Sequence, residues 1–194
     1  MKPIDSGKLK EALNLLHEQL ELHDRPKTEL VVCGGSALIA MGLVPRTTRD
    51  IDIVALMRDG HLVDSEPLPG FLLEAAAQVG KMLNLPPDWL NNGPASQFKM
   101  GFPSGFAMRL HKEEIGARLT IHYIGRIDQI HFKVFASVDR GGYHISDLKA
   151  LHPTADELYQ AALWCVEQDA SEGFRILMKA MFNQNGWKDV GERI

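Results

Sequence analysis

The sequence predicts a mixed α/β fold with a helical C-terminal third, on three observations. Leucines recur at helical spacing near the N-terminus, and apolar residues do so again beyond Pro153. Between them, short apolar or alternating runs bounded by glycine and proline read as strands. The 194 residues, 45% of them hydrophobic, supply a core for one domain carrying a modest helical appendage.

Leu9, Leu13, Leu16 and Leu20 share one face of a helix over 6–23, with Ser6 as its N-cap. Leu30-Val31-Val32-Cys33 is a continuous apolar run ended by two glycines, hence a buried strand. A short helix follows over 36–41, closed by Gly42. Asp50-Ile51-Asp52-Ile53-Val54 alternates polar and apolar residues, as a half-buried strand does. Residues 58–70, with Asp-Gly and Pro-Leu-Pro, read as a loop. A helix over 71–83 stops before Pro86-Pro87, and residues 91–105 are expected to be irregular. A strand over 118–124 and a helix over 128–138 come next. Two final helices span 155–168 and 173–183, with Pro153 suited to a first turn and Gly186 to the last stop. Met178, Met181 and Phe182 read as core, and Trp89 likewise.

The formal net charge of −4 excludes a bulk basic footprint for nucleic acid. Cys33 and Cys165 sit among apolar neighbours and read as buried, reduced thiols. No apolar run approaches the roughly 20 residues of a bilayer span, so no membrane contact is expected. Met1 to Gly7 lacks the apolar stretch of a signal peptide, and we expect a cytoplasmic protein. The histidines lack metal-ligand spacing, and no zinc site is expected.

The informative stretch is Gly34-Gly35-Ser36, thirteen residues, then Asp50-Ile51-Asp52. Residues two apart on a strand project to the same face, so the two carboxylates point together while Ile51 points into the core. Their mutual repulsion is relieved by a hard cation with oxygen ligands, Mg²⁺ above all, or Mn²⁺. The bland alternative is a solvated strand face. Two glycines after a buried strand let a ligand approach the backbone. The following helix start offers N–H groups to an anion, and the Ser36 hydroxyl can add a bond to phosphate. A plain strand-to-helix turn would also explain the glycines.

Taken together, strand, Gly-Gly-Ser, short helix and a strand bearing Asp-x-Asp resemble the nucleotidyltransferase superfamily that includes DNA polymerase beta. The string from Gly34 to Leu38 and from Arg46 to Asp52 looks most like the bacterial branch of the AbiEii and MenA-type toxins. Lys133-Val134-Phe135-Ala136, Arg140 and Asp147-Leu148 are similar to that branch's later motif. The resemblance covers residues 30–56 and 128–152. It implies an α+β, nucleotidyltransferase-type mixed sheet flanked by helices over residues 1–150, with 151–194 as a helical extension packed on it.

It further implies transfer of a nucleoside monophosphate from a nucleoside triphosphate to an acceptor hydroxyl, with RNA or protein as acceptor and a cognate antitoxin or adjacent-gene product as partner. Asp50 and Asp52 would hold metal, and Gly34, Gly35 and Ser36 would cradle phosphates. Arg46 and Lys133 would neutralise the leaving pyrophosphate. One departure stands out. The strand over 118–124 offers Thr120 and His122 but no third acid, a charge that Asp147 would have to supply. The departure keeps a rival open: a catalytically silent nucleotide-binding or antitoxin-like module that acts through a protein partner.

Overall fold

The computed structural model describes residues 3–194. Met1 and Lys2, where the stretch read as lacking a signal peptide begins, lie outside the described residues. The chain forms two compact units, one ending at Ile124 and the other spanning Gly125–Ile194. The line drawn at 150/151 falls inside the second unit.

The first unit holds one mixed sheet. Its strands are β1 (Thr28–Cys33), β2 (Ile51–Arg58), β3 (His61–Val63), β4 (Leu90–Asn91), β5 (His111–Gly116) and β6 (Leu119–Tyr123). They run in the order β3-β2-β1-β6-β5, and β4 pairs β2 beside β3. β1 is antiparallel to β2 and parallel to β6. The helices are α1 (Ser6–Leu22), α2 (Gly34–Ala40), α3 (Gly70–Leu83) and the short α4 (Ser96–Met100).

The leucine stripe of α1 buries Leu9, Leu13, Leu16 and Leu20 in one cluster with Leu30, Val32, Ile51, Ile53 and Ile121 of the sheet and Leu72 and Val79 of α3. Burial of each such side chain is worth about 1.5–3 kcal/mol, which fixes the register of strands that carry them. The α1 cap is Asp5, not Ser6: its carboxylate accepts the Lys8 N–H at 2.8 Å. Trp89 is fully buried and its indole N–H donates to the Ala76 carbonyl at 2.8 Å.

The stretch expected to be a loop after Arg58 is a hairpin. Asp59 and Gly60 both take positive φ, +49° and +77°, the geometry of a two-residue turn whose twist matches its strands. β5 also went unforeseen, because it is an edge strand whose His-Lys-Glu-Glu run carries no apolar alternation.

The second unit is helical: α5 (Arg126–Arg140), α6 (Tyr143–Ala150), α7 (Ala155–Gln168), α8 (Glu172–Gln184) and α9 (Lys188–Arg193). Trp164 stacks on Phe132 at 5.8 Å and meets Phe135 edge-on at 6.2 Å, joining α7 to α5. Met178, Met181 and Phe182 are buried. Arg126 grips Glu157 with two hydrogen bonds of 2.6 and 3.0 Å and also donates to the Leu151 and His152 carbonyls. That fork ties the start of α5 to the turn between α6 and α7. Cys33 and Cys165 are free, buried thiols. Among the described residues no helix is long and apolar enough to cross a membrane.

Candidate functional site

β1 delivers the chain into a left-handed turn that favours glycine. Gly34 has φ +69°, and a Cβ there would lie 2.7 Å from Oδ2 of Asp52. The bare Cα therefore lets the carboxylate rest against the backbone. The helix begins at Gly34, two residues before the expected start, so both glycines belong to its first turn. A Cβ at Gly35 would meet Oγ1 of Thr48 at 2.8 Å and Nη2 of Arg46 at 3.0 Å. Three side chains from the segment before and within β2 thus converge on the diglycine turn.

Asp50 lies just ahead of β2, not on it. Its carboxylate accepts from the Thr48 hydroxyl at 3.3 Å, the hydroxyl that also crowds Gly35. Thr48 is pinned in turn by two backbone hydrogen bonds with Ile4, of 2.7 and 2.9 Å. The β1–β2 register sets Cys33 opposite Asp52, which carries the second carboxylate to the turn. Both carboxylates thus border the turn, Asp52 directly and Asp50 through Thr48. Arg46 donates from Nη1 to the Thr47 carbonyl at 2.8 Å, which orients its guanidinium beside Gly35.

Ser36 is placed otherwise than expected. It is fully buried, and its hydroxyl donates back to the Cys33 carbonyl at 3.3 Å. A serine three residues into a helix start reaches the preceding carbonyl more readily than a ligand outside. Its contribution to the turn is therefore to hold the strand-to-helix junction.

Among the described residues no group of three or more His, Cys, Asp and Glu side chains is placed to hold a metal. Two carboxylates nevertheless fit a hard divalent cation of the Mg²⁺ kind, which commonly takes one or two protein carboxylates and completes its shell with substrate phosphates and water. β6 bears no acid. Its His122 lies 2.8 Å from Glu29 of β1 through Nε2. Burial pushes the Glu29 carboxyl up, but hydrogen bonds from Lys27 and His122 outweigh it and hold the group below its usual range.

In the second unit, Lys133 and Asp147 pair at 2.7 Å, with side chains only 5% and 2% exposed. This corrects two expectations. Lys133 does not present its charge on an open basic face, and the Asp147 charge is already balanced by Lys133. Arg140, two turns on, is exposed and pairs with Asp139 at 3.3 Å. The structure thus brings together Gly34, Gly35, Arg46, Asp50 and Asp52 in the first unit, and Lys133 with Asp147 in the second. Thr48 was given no role by sequence reasoning, since a threonine before a strand carries no periodic signal. Its part emerges only from the Ile4 bridge and the contact with Gly35.

A family model described as a nucleotidyltransferase of unknown function (DUF6036) matches residues 8–152, and the chain belongs to that family. No curated protein and no solved structure matches the chain.

Proposed function

We propose that this member of the nucleotidyltransferase family is a metal-dependent enzyme that moves a nucleoside monophosphate from a nucleoside triphosphate to an acceptor hydroxyl. The observation that carries the proposal is the contact of the Asp52 carboxylate with the bare Cα of Gly34, with Thr48 linking Asp50 to Gly35. A metal-binding pair and a phosphate-tolerant turn are of use to each other only at that proximity.

Asp50 and Asp52 hold Mg²⁺ or Mn²⁺, which on binding supplies charge neutralisation for the phosphates and a more acidic acceptor hydroxyl. Gly34 and Gly35 let the polyphosphate approach the backbone. Arg46 offsets the negative charge that gathers on the leaving group, a task for which a forked, permanently charged guanidinium is suited. The acceptor oxygen forms a bond to the α-phosphorus as the bond from that phosphorus to the bridging oxygen of the β-phosphate breaks. Pyrophosphate leaves with the electron pair, and the acceptor's proton passes to water. Lys133 and Asp147 act as a pair in this reading, each fixing the other's position. Likeness to the toxin branch extends the proposal to an RNA acceptor and an antitoxin partner in the cytoplasm.

A second reading, a silent nucleotide-binding or antitoxin-like module, is favoured by the lack of a third acid at the site among the described residues. Calorimetric titration with each nucleoside triphosphate, with and without Mg²⁺, tests the first part. Metal-dependent binding lost in Asp50→Ala and Asp52→Ala is expected, and binding that survives both removes the proposal. Incubation with labelled nucleotides and total RNA then separates the readings, since a silent module labels no acceptor.

A further inference from the structure

Helix α8 is apolar on two sides, and the second unit covers one of them. Phe174, Met178, Met181 and Phe182 are buried, whereas Ile176 and Leu177 are 59% and 57% exposed. A helix apolar on both faces ordinarily lies between two neighbours. Exposed apolar residues scattered singly are common on monomers, but Ile176 and Leu177 belong to a stripe. Gly173, Ile176, Leu177 and Ala180 stand at i, i+3, i+4 and i+7, the spacing of a seam that packs against another helix. The small residues at its ends let two helix backbones approach closely. A Cβ at Gly173 would meet nothing within 4 Å, so that end of the seam is open.

The stripe reads the same in either direction. Reversed about the midpoint between Ile176 and Leu177, Gly173 falls on Ala180 and Ile176 on Leu177. An antiparallel copy of α8 therefore sets large side chains against large and small against small. The charges agree with that pairing. Glu172 and Lys179, seven positions apart, line one edge of the stripe. A two-fold axis through the midpoint brings this edge against its own copy. Glu172 then lies about 3 Å along the axis from the partner's Lys179, at 1.5 Å per residue, and the pair forms twice. A parallel pairing in register would instead set like charge against like. Among the described residues neither Glu172 nor Lys179 is engaged in an ion pair of its own chain.

We propose that the α8 stripe is an interface between two copies of this chain, packed antiparallel about a two-fold axis between Ile176 and Leu177. A two-fold contact uses one patch on both partners, so the patch must complement itself in shape and charge. A foreign helix would impose no such symmetry on the spacing. Two helical turns cover less than the roughly 800 Å² per partner of a stable complex, so the dimer is weak, with a dissociation constant on the order of tens of micromolar. Self-association does not depend on the chemistry at Asp50 and Asp52.

Sedimentation equilibrium of the full chain from about 5 to 500 µM should show a reversible monomer–dimer equilibrium. Leu177→Glu should weaken it by more than about tenfold. Its melting temperature at a monomeric concentration should stay at the wild-type value, because the replaced side chain faces solvent. Glu172→Lys and Lys179→Glu should each weaken association by about fivefold, and the double variant should regain it, since the two ion pairs re-form with their signs exchanged. A chain that stays monomeric over the whole range overturns the self-pairing and leaves the stripe to a partner of another kind. A dimer that Leu177→Glu leaves intact overturns the α8 interface, and charge reversals that fail to rescue each other overturn its antiparallel register.

Discussion

Replacing Gly34 by alanine addresses the geometry on which the site depends, and Gly42 supplies an internal control. Both glycines have left-handed backbones, φ +69° and +66°, but a Cβ at Gly42 meets nothing within 4 Å, whereas one at Gly34 lies 2.7 Å from Asp52 Oδ2. Forcing an L-residue into this conformation costs about 1–2 kcal/mol, and that is all Gly42→Ala should lose. Gly34→Ala adds an overpacking penalty of about 1–3 kcal/mol as the carboxylate is driven aside. Its total of about 3 kcal/mol corresponds to a fall in melting temperature of roughly 6–12 °C for a chain this long. The assay is thermal and urea unfolding by circular dichroism, without nucleotide or metal, on both single variants. Asp52→Ala and its double variant with Gly34→Ala complete a cycle. Removing the carboxylate should relieve the clash, so that alanine at 34 costs no more in that background than alanine at 42. Equal losses for the two single glycine variants, or no relief in the double, would show that Asp52 does not abut the turn and would refute the reasoning.

Gly35→Ala, free of left-handed strain but 2.8 Å from Thr48 Oγ1, should cost about 1–3 kcal/mol and weaken Mg²⁺-dependent nucleotide binding; Thr48→Ser should not, as melting and calorimetry will show. Lys133→Met or Asp147→Leu alone leaves a buried charge unbalanced and should cost about 3–5 kcal/mol, while the double variant recovers most of the loss in urea unfolding. Hydrogen bonds from Arg126 hold the Glu157 carboxyl below its ordinary value of 4.5. A depressed folded pKa stabilises above the unfolded value, and the stabilisation is lost as pH falls through the folded one. Glu157→Gln should therefore flatten the acid limb of stability only below about pH 4.5, in melts across a pH series. Burial pushes the Cys165 thiol up, so a thiol reagent at neutral pH should leave it unlabelled until the second unit unfolds, as mass spectrometry of labelled peptides will show.

The parts of the fold legible in the sequence are those where burial follows a period. Leu9, Leu13, Leu16 and Leu20 announce α1 because one face of a helix meets the sheet, and Leu30 to Cys33 announce β1 because both its faces are covered. β5 and β3 escaped for the opposite reason. They lie at the sheet's two edges, where hydrogen bonding to one neighbour suffices and the side chains are left to solvent. α6 and α9 follow Gly142 and Trp187 without a side-chain cap, so neither start is signalled by Ser, Thr, Asp or Asn. The hairpin after Arg58 was legible in principle, since Asp-Gly between strands is a turn signal as well as a loop signal.

The site divides along the same physical line. Motif spacing brought Asp50, Asp52 and the glycines under suspicion, because metal-bound phosphate demands those residue types. What spacing could not convey is where each side chain's hydrogen-bonding capacity is already used. Ser36 carries the right hydroxyl, yet a carbonyl three residues back is closer than any outside partner. Lys133 carries the right charge, yet fourteen positions later the chain supplies Asp147 to hold it. In both cases a polar group that would cost free energy to bury alone is satisfied internally, and the structure selects that partner because an unpaired buried group costs more than a bond to a ligand present part of the time. Asp52 and Arg46 are marked instead by the glycines they rest on: a Cβ at Gly34 would lie 2.7 Å from Asp52 Oδ2 and one at Gly35 3.0 Å from Arg46 Nη2, so any side chain there would push them aside. The glycines are accordingly the stronger indicator of where a ligand enters, and the polar residues become informative once their internal partners have been assigned.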